Sequence, residues 1–183
     1  LGGNVVLKYM SELGATAREF LRAAATVSVP CDLKGSALAL SRPGNFMYLK
    51  IFMDSLKAKL QAKIRQWPRE LGAEARGPVR NLVDFDNVYT APVHGFADAE
   101  DYYRRCSSAT MLAELQIPTL MIQAVDDPFL TEACHPRTAA EANPHLYLLN
   151  PEQGGHVGFI RFDANGEYWH ETRVVNFLKR WPE

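Results

Sequence analysis

Ile117-Pro118-Thr119-Leu120-Met121-Ile122-Gln123-Ala124 runs apolar for the length of one strand and then stops abruptly at Val125-Asp126-Asp127-Pro128. A short apolar run closed by Asp-Pro reads as a buried strand entering a turn. His145-Leu146-Tyr147-Leu148-Leu149 repeats the pattern later, and Ala24 to Val29, small, β-branched and closed by Pro30, repeats it earlier. Helical stretches lie between and around these strands. Apolar residues at Val5, Val6, Tyr9, Met10 and Leu13 keep helical spacing as far as Gly14, and Trp169 to Trp181 is amphipathic. Strands that alternate with helices pack side by side in parallel and are covered on both faces. The fold class expected is therefore α/β.

From 31 to about 108 the texture changes to charged helices, with Met47 to Ile64 strongly amphipathic and breaks at Trp67-Pro68 and Gly77-Pro78. This segment is expected to be a helical cap inserted into the α/β domain. Its basic residues Lys50, Lys57, Lys59, Lys63 and Arg65 fall on the polar side of a helix and read as a solvated face. His94-Gly95-Phe96, at the end of this segment, reads first as an anchor through Phe96 and second as part of an acyl pocket.

Composition removes several function classes. Twenty basic residues stand against twenty-one acidic ones, which leaves no excess charge for a nucleic-acid backbone. No apolar run approaches the roughly 20 residues that span a bilayer. Three separated cysteines, Cys31, Cys106 and Cys134, suggest neither a disulfide framework nor a zinc cage, and a reduced, cytoplasmic setting is expected. His135, His145 and His170 lack the partners of a metal site. No metal or organic cofactor is expected.

The chemistry gathers in two loops. In an open parallel sheet, functional side chains sit at the carboxyl ends of the strands. Asp127 follows one strand, and Gly154-Gly155-His156-Val157-Gly158-Phe159 follows the next. Taken alone, Asp126-Asp127-Pro128 is a turn or a helix cap. Taken with His156, it supplies the acid and the base of a Ser-Asp-His hydrolase in the chain order that an α/β-hydrolase uses. Asp127 is preferred to Asp126 because the acid should lie a little past the strand's end.

The nucleophile would lie ahead of Leu1. A G-x-S-x-G elbow reads into Leu1-Gly2-Gly3 if Leu1 is the residue after the serine, which makes Gly2 the last glycine of the motif and Leu1 an oxyanion donor through its backbone N–H. With no initiator Met, the chain reads as a fragment that begins just after the nucleophile. Such a piece, alone, is expected to be poorly soluble or partner-dependent and inactive.

Leu1-Gly2-Gly3-Asn4, Val29-Pro30-Cys31-Asp32-Leu33, Phe85-Asp86, Thr90-Ala91-Pro92-Val93-His94-Gly95-Phe96, Tyr102-Tyr103, Pro118-Thr119-Leu120, Gln123 to Phe129 and Gly154 to Phe159 together resemble the YheT-like α/β-hydrolases. The resemblance runs nearly end to end and identifies the chain with the C-terminal part of that fold. It implies a carboxylesterase of short- to medium-chain acyl esters or lipids, with the aspartate before Pro128 as acid and the histidine of Gly-Gly-His-Val-Gly-Phe as base. An acyltransferase would use the same residues. A non-catalytic binding protein on the same fold is the rival reading.

Overall fold

The computed structural model describes residues 1–68, 71, 77–159 and 166–182. Its chain divides into two compact units, one made of residues 1–32 and 107–183 and the other of residues 33–106.

The first unit is built on a parallel three-stranded sheet in the order β1-β2-β3, with β1 at Ala24–Val27, β2 at Thr119–Ile122 and β3 at Leu146–Leu149. The register sets Ala24 opposite Thr119 and Thr119 opposite Leu146. β2 is central, so all four of its residues are buried. Alternation along β2 then divides its side chains between two cores. Met121 joins Leu7, Met10, Leu112, Leu115 and Ile117, whereas Leu120 and Ile122 join Ala124, Phe159 and Phe177. Each fully buried side chain of this size contributes about 1.5–3 kcal/mol, and both sheet faces are used. The α/β architecture follows from that double demand.

Helix α1 (Gly2–Leu13) ends at Gly14, whose φ of +52 is one a glycine adopts without a steric penalty. The other helices of eight or more residues, among the described residues, are α2 (Leu33–Leu40), α3 (Phe46–Gln66), α4 (Ala99–Cys106) and α5 (Trp169–Leu178). The strand expected over 24–29 stops at Val27. Ser28 has a φ of +52, and the backbone of Val29 leaves the ladder to bond a side chain instead. That side chain is the fully buried Gln123, which accepts from Val29 N at 2.6 Å and donates to Val29 O and Cys134 O at 2.8 Å each. An unsatisfied buried amide would cost about 1–3 kcal/mol, so this network fixes the loops after β1 and β2 to each other.

The second unit is helical. α3 turns Met53 and Leu60 inward with Leu49, Leu56 and Ile64 beside them, at three- and four-residue spacing, against Phe85. The five basic residues read as a solvated face are all exposed. Phe96 packs edge-on to Tyr102 at 5.4 Å between ring centroids, with the Arg105 guanidinium 4.7 Å from its own centroid.

Candidate active site

Backbone pairing between the loops after β2 and β3 continues past the strand ends, because Val125 N donates to Pro151 O at 2.9 Å. The chain then turns sharply at Asp127, whose N–H reaches Ala124 O at 3.3 Å. Asp-Pro favours this turn, and the Asp127 side chain closes it by accepting from Phe129 N through Oδ1 at 2.9 Å. Its second oxygen, Oδ2, lies 2.8 Å from His156 Nδ1. The carboxylate is completely withdrawn from solvent, while the His156 side chain keeps 33 % of its exposure.

An ionised carboxylate only accepts, so Nδ1 of the neutral ring carries the proton and Nε2 carries the free lone pair. The imidazole is thus set to take a proton on its outer nitrogen, and a positive charge formed there would face Asp127. Phe129 lies against the ring at 4.6 Å between centroids and restricts its rotation.

The adjacent Asp126 binds backbone instead. Its Oδ1 accepts from both Gly154 N and Gly155 N at 2.8 Å. Gly154 is required by space, because a Cβ there would come within 2.8 Å of Ala124 Cβ and closer still to the Phe159 ring. Gly155 is required by conformation, with φ at +57. An open hollow of about 710 Å³ lies against Asp126, Gly154, Gly155, Phe159 and Trp169, and neither Asp127 nor His156 lines it.

Leu1 is 68 % exposed at the head of α1. A Cβ on Gly3 would fall 2.4 Å from Val29 Cγ2, while one on Gly2 would meet nothing within 4 Å. Val29 follows β1 and is bonded to Gln123, so α1 starts at the carboxyl end of the sheet, the end that also carries Asp127 and His156.

The other candidates lie elsewhere. Cys31 and Cys134 are fully buried, and the Cys31 thiol is pushed far up by its hydrogen bond to Cys134 and by burial, so it remains a thiol rather than a nucleophilic thiolate. His135 is buried with Nδ1 2.9 Å from Asn150 Nδ2, and His145 stands 3.5 Å from an Arg18 nitrogen. Among the described residues no group of three or more His, Cys, Asp or Glu is arranged to hold a metal ion, and no helix is long and apolar enough to cross a membrane. Sequence reading missed the buried Gln123 and the separate task of Asp126.

No family model matches the chain. It is 34 % identical, over its whole length, to "Putative esterase YheT" of Escherichia coli (strain K12), of which it covers 54 %. It is 27 % identical over 87 % of its length to the phospholipase ABHD3 of Mus musculus, covering 39 % of that protein. The chain thus spans about half the length, or less, of these curated relatives. Its fold matches the esterase PF2001 of Pyrococcus furiosus with a TM-score of 0.50 at 17 % identity, covering 98 % of this chain and 50 % of that one. With a parallel sheet covered on both faces, the chain has the α/β-hydrolase fold, and its likeness in sequence to the YheT esterase runs from end to end.

Proposed function

We propose that the protein is a serine-type carboxylic ester hydrolase acting on short- to medium-chain acyl esters or lipids, with His156 as general base and Asp127 as the acid that orients it. The 2.8 Å contact between His156 Nδ1 and Asp127 Oδ2, made across two loops 29 residues apart, is the observation that carries this reading. Names given to relatives, an esterase and a phospholipase, support an ester as substrate.

In this reading the hydroxyl nucleophile comes from residues outside these 183. His156 Nε2 takes the hydroxyl proton as the oxygen attacks the ester carbonyl, and the imidazolium gives that proton to the leaving alcohol. Water then attacks the acyl-enzyme, with the same nitrogen as base. The oxyanion is held by backbone N–H groups. Leu1, at the head of α1, supplies one of them wherever the natural chain continues ahead of it. In this reading the helical insertion from 31 to about 108 serves as the cap.

The test is His156→Ala in the natural full-length protein, assayed on p-nitrophenyl esters of graded chain length. Turnover should fall about 10³-fold or more with folding retained, because the lost group transfers protons. Turnover equal to that of the unsubstituted protein would remove the assignment.

A further inference from the structure

His156 is tied to Asp127 by one hydrogen bond, which fixes a distance, and Phe129 lies against its ring. Where the imidazole as a whole stands depends also on the position of its own backbone. That backbone belongs to the turn 154–159, closed across its base by Phe159 N donating to Gly154 O at 2.9 Å. The turn is fastened to the rest of the molecule at its first two residues, where Gly154 N and Gly155 N converge on a single oxygen of Asp126, each at 2.8 Å. Successive amides point at one acceptor when the chain passes into the left-handed region, and Gly155 does so with φ at +57. Asp126 itself is held from behind, since the preceding Val125 N is bonded to Pro151 O at 2.9 Å.

We propose that Asp126 is a positioning residue for His156: its carboxylate binds the two-amide nest at the start of the histidine loop and so sets the place of Nε2. This rests on the ester-hydrolase reading and adds a second task to the Asp-Asp pair. Asp127 holds the ring, and Asp126 holds the loop that bears the ring. Both ends of His156 are thereby tied to one turn after β2. Loss of the Asp126 anchor moves the base relative to its substrate, and a misplacement of about 1 Å is enough to cost about 10²-fold in rate.

The experiment compares Asp126→Ala, Asp126→Asn and His156→Ala in the natural full-length protein, by steady-state ester turnover and by amide hydrogen exchange at Gly154 and Gly155. Asp126→Ala should lower kcat by about 10- to 100-fold with KM within about twofold, and should speed exchange at both glycines. Asp126→Asn keeps an oxygen in the same place without the charge and should restore most of kcat and slow exchange again. The Asn variant also carries the test alone if the Ala variant misfolds. Full kcat in Asp126→Ala, or a loss in Asp126→Asn as deep as in Asp126→Ala, overturns the proposal while a dead His156→Ala leaves the hydrolase reading standing. Full turnover in His156→Ala sinks that parent reading, and this one with it.

Discussion

Each unit of this molecule holds a carboxylate drawn in from solvent and hydrogen-bonded to a titratable ring. The buried Asp127 faces His156 at 2.8 Å, and the half-buried Asp86 accepts from the Tyr103 hydroxyl at 2.6 Å. Burial pushes the Asp86 carboxyl above the usual carboxylate range, and burial together with that hydrogen bond pushes the Tyr103 hydroxyl far up. By titration alone, the pair in the helical unit would be marked as a site. Its geometry says otherwise. Tyr103 is 4 % exposed and spends its only polar side-chain atom on Asp86, whereas His156 keeps a second nitrogen on a ring that is one-third exposed. A sheltered acid becomes useful to chemistry only when its partner has a second atom left to offer.

The sharpest way to break that contrast is Asp127→Asn. The amide can present its N–H to the ring and stabilise the tautomer with the proton on Nε2, where no hydroxyl proton can then be accepted. Ester turnover of the natural protein should fall about 10⁴-fold with the fold kept. Tyr103→Phe, in the same assay, should leave kcat unchanged. A loss of less than about tenfold in the first variant, or a comparable loss in the second, would erase the distinction between the pairs.

The next effect is on stability and comes from the loop. Gly154 faces Ala124 Cβ, a short side chain on a buried residue that has no rotamer to change, and the Phe159 ring. Gly154→Ala should therefore destabilise the first unit by about 1–3 kcal/mol, read from chemical denaturation. A substitution of Gly2, with nothing near its Cβ position, should cost far less. Equal costs at the two positions would mean that the loop is more loosely packed than its contacts imply.

These same residues show what can be read before any coordinates. The strand at 119–122 is legible because a central parallel strand must be apolar on both faces, and Thr119 to Ile122 carries no charge. That Asp127 and His156 stand in turns past strand ends is legible, because Asp-Pro and Gly-Gly-His mark such turns. The end of β1 is not. The small and β-branched run continues through Ser28 and Val29, and Ser28 N still donates to Ile122 O at 2.9 Å, yet Val29 leaves the ladder because Gln123, 94 positions away, captures the Val29 backbone with its amide. Long-range side-chain bonds of this kind leave no local pattern.

The smallest effect is the pH dependence of the helical unit. Asp86 has its folded-state carboxyl raised, chiefly by burial, so its neutral form is favoured in the native state. A raised acid contributes stability that is fully present below the ordinary carboxyl range of about pH 4 and is lost as pH climbs through the raised value. The Tyr103 hydroxyl works against that loss, because donating to the ionised form lowers the Asp86 pKa. Tyr103→Phe should then cost about 1–3 kcal/mol above the raised value, where Asp86 is left charged with one donor fewer, and less below the ordinary carboxyl range, where the carboxyl is neutral. Hydrogen exchange of the amides in α4, which carries Tyr103, measures it directly in those two ranges. A cost that is flat with pH would show that the Tyr103 bond is made equally to the acid and to the carboxylate.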